Sequence, residues 1–162
     1  MSYEGCVAFA HELEDLDARA REAGLVLTMH PRYRELVSFD GTPAMDILLE
    51  HRPTLELTLD TNHILRGGLG VTDTLARYGG RISLIHLKDM TDTTRERSHL
   101  TPVGQGCTDW EEVFTACRAY DVPFALVEQE SHDKDMFDCF LDSYRFLTEH
   151  GFSPNCLNRQ WD

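Results

Sequence analysis

Basic residues are scarce in this chain: Lys and Arg total 15 against 28 Asp and Glu, for a formal charge of -13 and a pI near 4.9. A surface of that sign repels phosphate backbones and anionic membranes, which argues against nucleic acid or membrane partners. No apolar run approaches the roughly 20 residues of a membrane span. The opening MSYEGCVAFAHELEDLD is acidic where a signal peptide would be basic, so the expected location is cytoplasmic. A C-x-x-C pair is also missing. Cys6, Cys107, Cys117, Cys139 and Cys156 are odd in number and scattered, which argues against a zinc knuckle or a dithiol redox site and for reduced, small apolar packing residues. Linkers and low-complexity stretches are absent as well. With 162 residues, 41% of them hydrophobic, the chain suffices for one domain over 1–162 and leaves little room for two.

What is present is an alternation of elements. Val7, Ala10, Leu13, Leu16 and Ala20 recur at helical steps and predict a helix over 6–23, stopped by Gly24. LVLTMH (25–30) reads as a first strand, PRYRELVSFDG as a polar loop, and PAMDILLEH as a helix capped by Thr42 with Pro43 in its first turn. LELTLD (55–60) predicts the second strand, followed by a glycine loop and the short helix VTDTLARYGG. RISLIHLKD (81–89) predicts the third, and a long loop then leads to the helix WEEVFTACRAY, with Asp109 and Glu112 spaced as a capping box. VPFALVEQE (122–130) predicts the fourth strand and DMFDCFLDSYRFLTEH a last helix, while 151–162 stays unassigned. Strands joined through helices predict parallel β-α units, because parallel neighbours need a crossover.

Each strand ends in a group able to bind a divalent metal: His30, Asp60, His86 and Glu128. Sites in parallel sheets and barrels gather at the carboxyl ends of strands. Strand alternation puts Phe124, Leu126 and Glu128 on one face, and Ile82, Leu84 and His86 on one face. Mixed carboxylate and imidazole ligation suits Mn²⁺ first, with Mg²⁺, Co²⁺ or Zn²⁺ as alternatives. Such a metal polarises a carbonyl, after which a carboxylate moves a proton between adjacent carbons.

Each residue also has a plainer account. Asp60 and His63 fit a local cap on the following turn, and Lys88 with Asp89 fits a local salt bridge. Glu130 shares the parity of Glu128 but is expected in solvent, and Glu35 also reads as a solvated loop charge. The RGGLG and VGQG glycines read as turns, since the Lys-Ser/Thr sequel of a phosphate loop is missing. Arg95 and Arg97 suit either recognition of a substrate anion or a mobile surface loop. His11, His51, His99, His132 and His150 are expected on the surface.

LDTNHILRGG, GRISLIHLKD, PVGQGCTDWEEVF and LVEQES, in that order, resemble the last four strand units of the xylose isomerase-like TIM barrels, the sugar phosphate isomerase/epimerase superfamily, from about residue 6 to about residue 150. The resemblance implies a metal held by Asp60, His86 and Glu128, with Glu128 also the base. It further implies that His63 touches substrate hydroxyls, and that Lys88 and Asp89 hold substrate or brace the site. Where other members carry a fourth ligand and second proton-transfer glutamate, this chain carries His30. MHPRYREL is similar to an H-N-H-x-x-E-F variant that keeps His30 and Glu35 and replaces the middle residues with Pro31 and Arg32, which leaves Glu35 as the stand-in second catalytic group.

The expected fold is therefore a parallel (βα)4 half-barrel corresponding to strands 5–8 of a TIM barrel. Such a sheet has two unpaired edges and an apolar inner face, which predicts a homodimer first, with docking of a complementary N-terminal half-barrel, or truncation from a longer enzyme, as the alternatives. The expected function is metal-dependent isomerisation or epimerisation of a small sugar, keto-sugar or polyol. A related dehydratase or lyase, and a catalytically inactive binding or assembly module, are the alternatives. Phosphodiester cleavage of damaged DNA also occurs on this superfamily's fold, but it needs a basic groove that the charge of -13 argues against.

Overall fold

The computed structural model of the chain describes residues 2–39, 41–93, 99–130 and 133–152. Along the chain run α1 (Tyr3–Glu12), α2 (Glu14–Glu22), β1 (Thr28–Met29), α3 (Tyr33–Leu36), β2 (Ser38–Phe39), β3 (Thr42–Pro43), α4 (Ala44–His51) and β4 (Glu56–Asp60). Next come α5 (Thr61–Arg66), α6 (Val71–Tyr78), β5 (Ile82–Leu87), β6 (Asp89–Met90), β7 (Leu100–Thr101), α7 (Trp110–Ala119), β8 (Ala125–Val127) and α8 (Met136–Glu149). The main sheet has four strands in the order β1-β4-β5-β8, every pair parallel. Helices cover one face. Leu57 and Leu59 of β4 and Ile85 and Leu87 of β5 pack there with Met45, Leu48, Ile64, Leu75, Val113 and Phe114. Ile82 joins the same core rather than the face of Leu84 and His86 expected from alternation, because the β4–β5 register slips between the Leu57–Ile82 and Thr58–Leu84 pairs. The opposite parity carries Thr58, Asp60, Leu84, His86, Leu126 and Glu128; this face is open at Leu126, which is 55% exposed, while Thr58 and Asp60 are buried. The fold is α/β with a partial barrel, as the strand-helix alternation implies.

Several boundaries differ from the sequence expectation for identifiable reasons. The helix expected over 6–23 begins earlier, with Ser2 Oγ accepting from the Gly5 amide at 3.1 Å, and is interrupted at Leu13, which leaves Leu16 exposed. Gly24 closes it with φ +71°. Thr42 does not cap α4; it pairs with Phe39 across an antiparallel bridge, and Pro43 occupies the cap position. The glycine-flanked turn after Asp60 starts with a short helix, α5. Asp109 caps α7 by accepting from the Glu112 amide at 3.0 Å, but the Glu112 carboxylate reaches across to the amide and hydroxyl of Thr72, joining α7 to α6.

The end of β5 is held by Asp89, which is 1% exposed. Its Oδ2 accepts from the Gly104 amide (3.0 Å), the Gly106 amide (2.9 Å) and Trp110 Nε1 (2.9 Å). Its Oδ1 accepts from Met90 (2.9 Å) and Thr108 (3.3 Å). The local pair with Lys88 is not made. A Cβ on Gly106 would collide with this carboxylate and the Met90 carbonyl, and Gly104 adopts φ +89° with its missing Cβ facing the Phe146 ring. The VGQG glycines therefore turn the chain and let its amides close on an anion.

Among the described residues the exposed large apolar side chains are Tyr3 and Phe9 on α1, Leu16 on α2, Leu25 and Val26 just before β1, Leu126 on β8, and Phe137, Phe140, Leu141 and Tyr144 on α8. Positions 137, 140, 141 and 144 share one helical face. Asp89→Asn is expected to lower stability by about 2 to 4 kcal/mol, because an amide turns donors toward donors that have lost their anion. Urea denaturation reads it; an unchanged midpoint would show that water replaces the carboxylate.

Candidate metal centre

β4 ends on Asp60 and the next residue begins α5. The Asp60 backbone is extended (φ -140°, ψ 124°), and its Oδ1 accepts from the His63 amide at 3.1 Å, so this carboxylate is the N-cap of α5. A cap needs one oxygen. The other, Oδ2, is buried without a hydrogen bond; it lies 3.7 Å from His30 Nε2, 4.0 Å from His86 Nδ1 and 3.9 Å from Lys88 Nζ. The cap and the site thus use different oxygens of one side chain.

Register assembles the rest. Asp60 pairs with His86 across β4 and β5, and His86 pairs with Leu126 across β5 and β8. The Glu128 amide donates to the Leu87 carbonyl at 3.1 Å, which extends the alignment by one residue. Glu128 Oε2 comes to 2.6 Å from His86 Nδ1, yet neither atom has a hydrogen-bond partner. His30 follows β1, its ring centroid 4.7 Å from that of His86 and 5.7 Å from that of His63. One donor atom from each of His30, Asp60, His86 and Glu128 lies within 4.8 Å of the others.

Leaving a buried polar atom unpaired costs about 1 to 3 kcal/mol. Asp60 Oδ2, His86 Nδ1 and Glu128 Oε2 all stand in that condition around one point, and a cation there would satisfy them together. Two carboxylates and two imidazoles are donors that borderline divalent cations accept. The residues fit such an ion.

Charge tunes the surroundings. Burial would raise Asp60, but His30, His63 and Lys88 outweigh it and hold the carboxyl below its ordinary range. Burial lowers His63, outweighing the opposing pull of Asp60, and so favours its neutral ring. Burial would also lower Lys88; the Glu130, Asp60 and Glu128 carboxylates overcome it and hold the ammonium above the usual lysine value. Glu130 is held low, chiefly by its hydrogen bond to Lys88.

The other expected site residues fall as follows. Lys88, expected to hold substrate or brace the site, is 3% exposed, and its Nζ lies 3.1 Å from Glu128 Oε1 and 2.9 Å from Glu130 Oε1. Glu130 is exposed, as expected, and contacts Lys88 as well. His63 lies beside the group, half-buried, with Nδ1 unpaired. Glu35 does not join the four donors: its Oε2 accepts from the Arg32 amide at 2.8 Å and caps α3. Arg95 and Arg97 lie outside the described residues, as do His132 and Cys156. The Cys117 thiol is pushed up to about 11 by burial, in keeping with a packing role. Parity with Glu128 was the sequence signal for Glu130; Asp89 was legible only as a neighbour of Lys88.

A family described as xylose isomerase-like TIM barrel matches residues 2–150. The chain belongs to this family. Its fold is similar to a sugar phosphate isomerase/epimerase from Parabacteroides distasonis (TM-score 0.76, 16% identity, 90% of this chain and 52% of that one). It is also similar to a probable 3-DHS dehydratase involved in petrobactin synthesis from Bacillus anthracis (0.74, 17%, 91% and 58%). A third is 3-keto-D-glucoside 4-epimerase from E. coli (0.70, 17%, 92% and 56%). At these identities the likeness is one of fold. The chain spans about half the length of each of these structures. No curated protein is similar enough in sequence to match.

Asp60→Asn is expected to keep the α5 cap, since its amide oxygen still accepts from His63, whereas Asp60→Ala loses it. The difference between the two variants in thermal or urea melts should be about 1 kcal/mol in favour of Asn. Equal stabilities would mean that Oδ1 contributes nothing to α5.

Proposed function

We propose that the half-barrel is the metal-carrying part of an enzyme that moves a proton next to a carbonyl in a small sugar, keto-sugar or polyol. The observation that carries this reading is the convergence of three unpaired buried donor atoms, on Asp60, His86 and Glu128, with His30 beside them. The three, with His30, would hold a divalent cation, Mn²⁺ foremost. When bound, that cation supplies Lewis-acid polarisation of the substrate carbonyl.

Glu128 is the base in this reading. It is half-buried and immediately follows β8, where it takes the proton from the carbon beside the carbonyl and returns it to the neighbour. His63, half-buried beside the donor group, donates or accepts hydrogen bonds to substrate hydroxyls. Isomerisation and dehydration need proton transfer on one side of the substrate only, which Glu128 provides. Epimerisation needs a second group on the other side. Glu35 is occupied in the α3 cap, so in this chain His30 would have to serve. Single-base isomerisation or dehydration is thus the better-supported chemistry among the described residues. The sugar isomerases and epimerases and the dehydratase among its structural neighbours support the same class of reaction.

The face open at Leu126 and the exposed apolar side chains of α8 support association with a second half-barrel, either another copy of this chain or a complementary half. Either would place an inner face opposite the metal group and enclose the substrate.

Two experiments test these readings. With Mn²⁺ bound, exchange of substrate α-hydrogen with deuterated water is expected across a panel of ketoses and inosones, and Glu128→Gln should slow it by about 10² or more. Absence of exchange with metal demonstrably bound removes the enzymatic reading. Light scattering at micromolar concentration should give a dimer mass for the isolated chain, reduced toward monomer by Phe140→Glu with Leu141→Lys. A wild-type monomer at all concentrations excludes self-pairing.

A further inference from the structure

Lys88 is fixed before its side chain begins. Thr61 Oγ1 accepts from the Lys88 amide at 2.9 Å and lies 2.8 Å from the Lys88 carbonyl, to which it donates. The stem is buried, and the ammonium lies 2.9 Å from Glu130 Oε1, 3.1 Å from Glu128 Oε1 and 3.9 Å from Asp60 Oδ2. Two of those three carboxylates belong to the group that fits a divalent cation. The third, Glu130, does not belong to it, and its side chain is 61% exposed.

A monovalent cation held 3 to 4 Å from two metal-ligating carboxylates opposes a second cation there. Even at an effective dielectric of about 20, charges this close shift a cation's affinity by more than about tenfold. We propose that Lys88 is an internal counter-cation that competes with the divalent metal for Asp60 and Glu128 and so sets the site's metal affinity. Glu130 is the carboxylate that retains the ammonium when the metal is bound. This inference rests on the metal reading above. It separates Lys88 from the ligands themselves: the ligands draw the metal in, and Lys88 limits how tightly it is held. Glu130 acts through Lys88, because its exposure screens any direct pull on the ion while leaving its contact with the ammonium intact.

The signs are opposite for the two residues, which a merely structural role would not produce. Titration calorimetry with MnCl₂ alone is expected to show Lys88→Met binding about tenfold or more tighter than wild type. Glu130→Gln should bind about threefold or more weakly, since the ammonium is then left to Asp60 and Glu128 alone. The double variant should match Lys88→Met, because Glu130 has nothing left to hold. Melting curves accompany the titrations. Without Mn²⁺, Lys88→Met leaves carboxylates buried without their counter-cation and should melt lower; its rise in melting temperature on adding Mn²⁺ should exceed that of wild type. A Lys88→Met protein that folds only with Mn²⁺ present also supports the proposal.

Equal or weaker Mn²⁺ binding by folded Lys88→Met overturns it while leaving the metal reading in place. If that variant does not fold in either condition, Glu130→Gln decides, and an unchanged affinity there overturns the proposal. Failure of both wild type and Lys88→Met to bind Mn²⁺ removes the metal reading and this inference together.

Discussion

Asp60 carries the arrangement because its two oxygens face different demands. Oδ1 terminates a strand and starts a helix by capping α5, and Oδ2 is left buried, unpaired and facing His30, His86 and Lys88. Helix capping orients the carboxylate, and that orientation presents the free oxygen to the site. A residue serving only as cap would turn its second oxygen to water; one serving only as ligand would need other support for its rotamer. The parallel ladder then sets His86 beside Asp60 and Glu128 just beyond Leu87, so the donor group follows from backbone pairing.

The neighbourhood is electrostatically layered. Asp89, one residue beyond Lys88, points to the opposite job: its carboxylate is enclosed by backbone amides of the VGQG segment and by the Trp110 indole, which hold a negative charge without a cation. Lys88 faces the carboxylates of the open side. Adjacent residues just past β5 thus anchor a loop on one side and balance charge on the other, as alternation along an extended chain allows.

Much of this was readable in the amino-acid order. Apolar alternation and helical periodicity locate the sheet strands and the longer helices, and alternation carries Asp60, His86 and Glu128 to one rim. The rest depends on information that local sequence does not hold. α5 is too short to show a period and is followed by Gly67 and Gly68, so it reads as a turn. β2, β3, β6 and β7 have two residues each and exist only as pairs. The Asp89 partners are mostly backbone amides, which any sequence supplies. Glu35 keeps its place in the motif, yet a three-residue step to Arg32 gives it a local partner that the motif does not anticipate. Glu130 meets Lys88 across 42 positions of chain, a pairing that parity suggests only once the strands are known to be neighbours.

The exposed apolar face of α8, formed by Phe137, Phe140, Leu141 and Tyr144, shares no residue with the four-donor group of His30, Asp60, His86 and Glu128. Under the association proposed above, substitutions on that face would change what the half-barrel pairs with and leave the donor atoms untouched, so that pairing and ion binding could vary independently of each other.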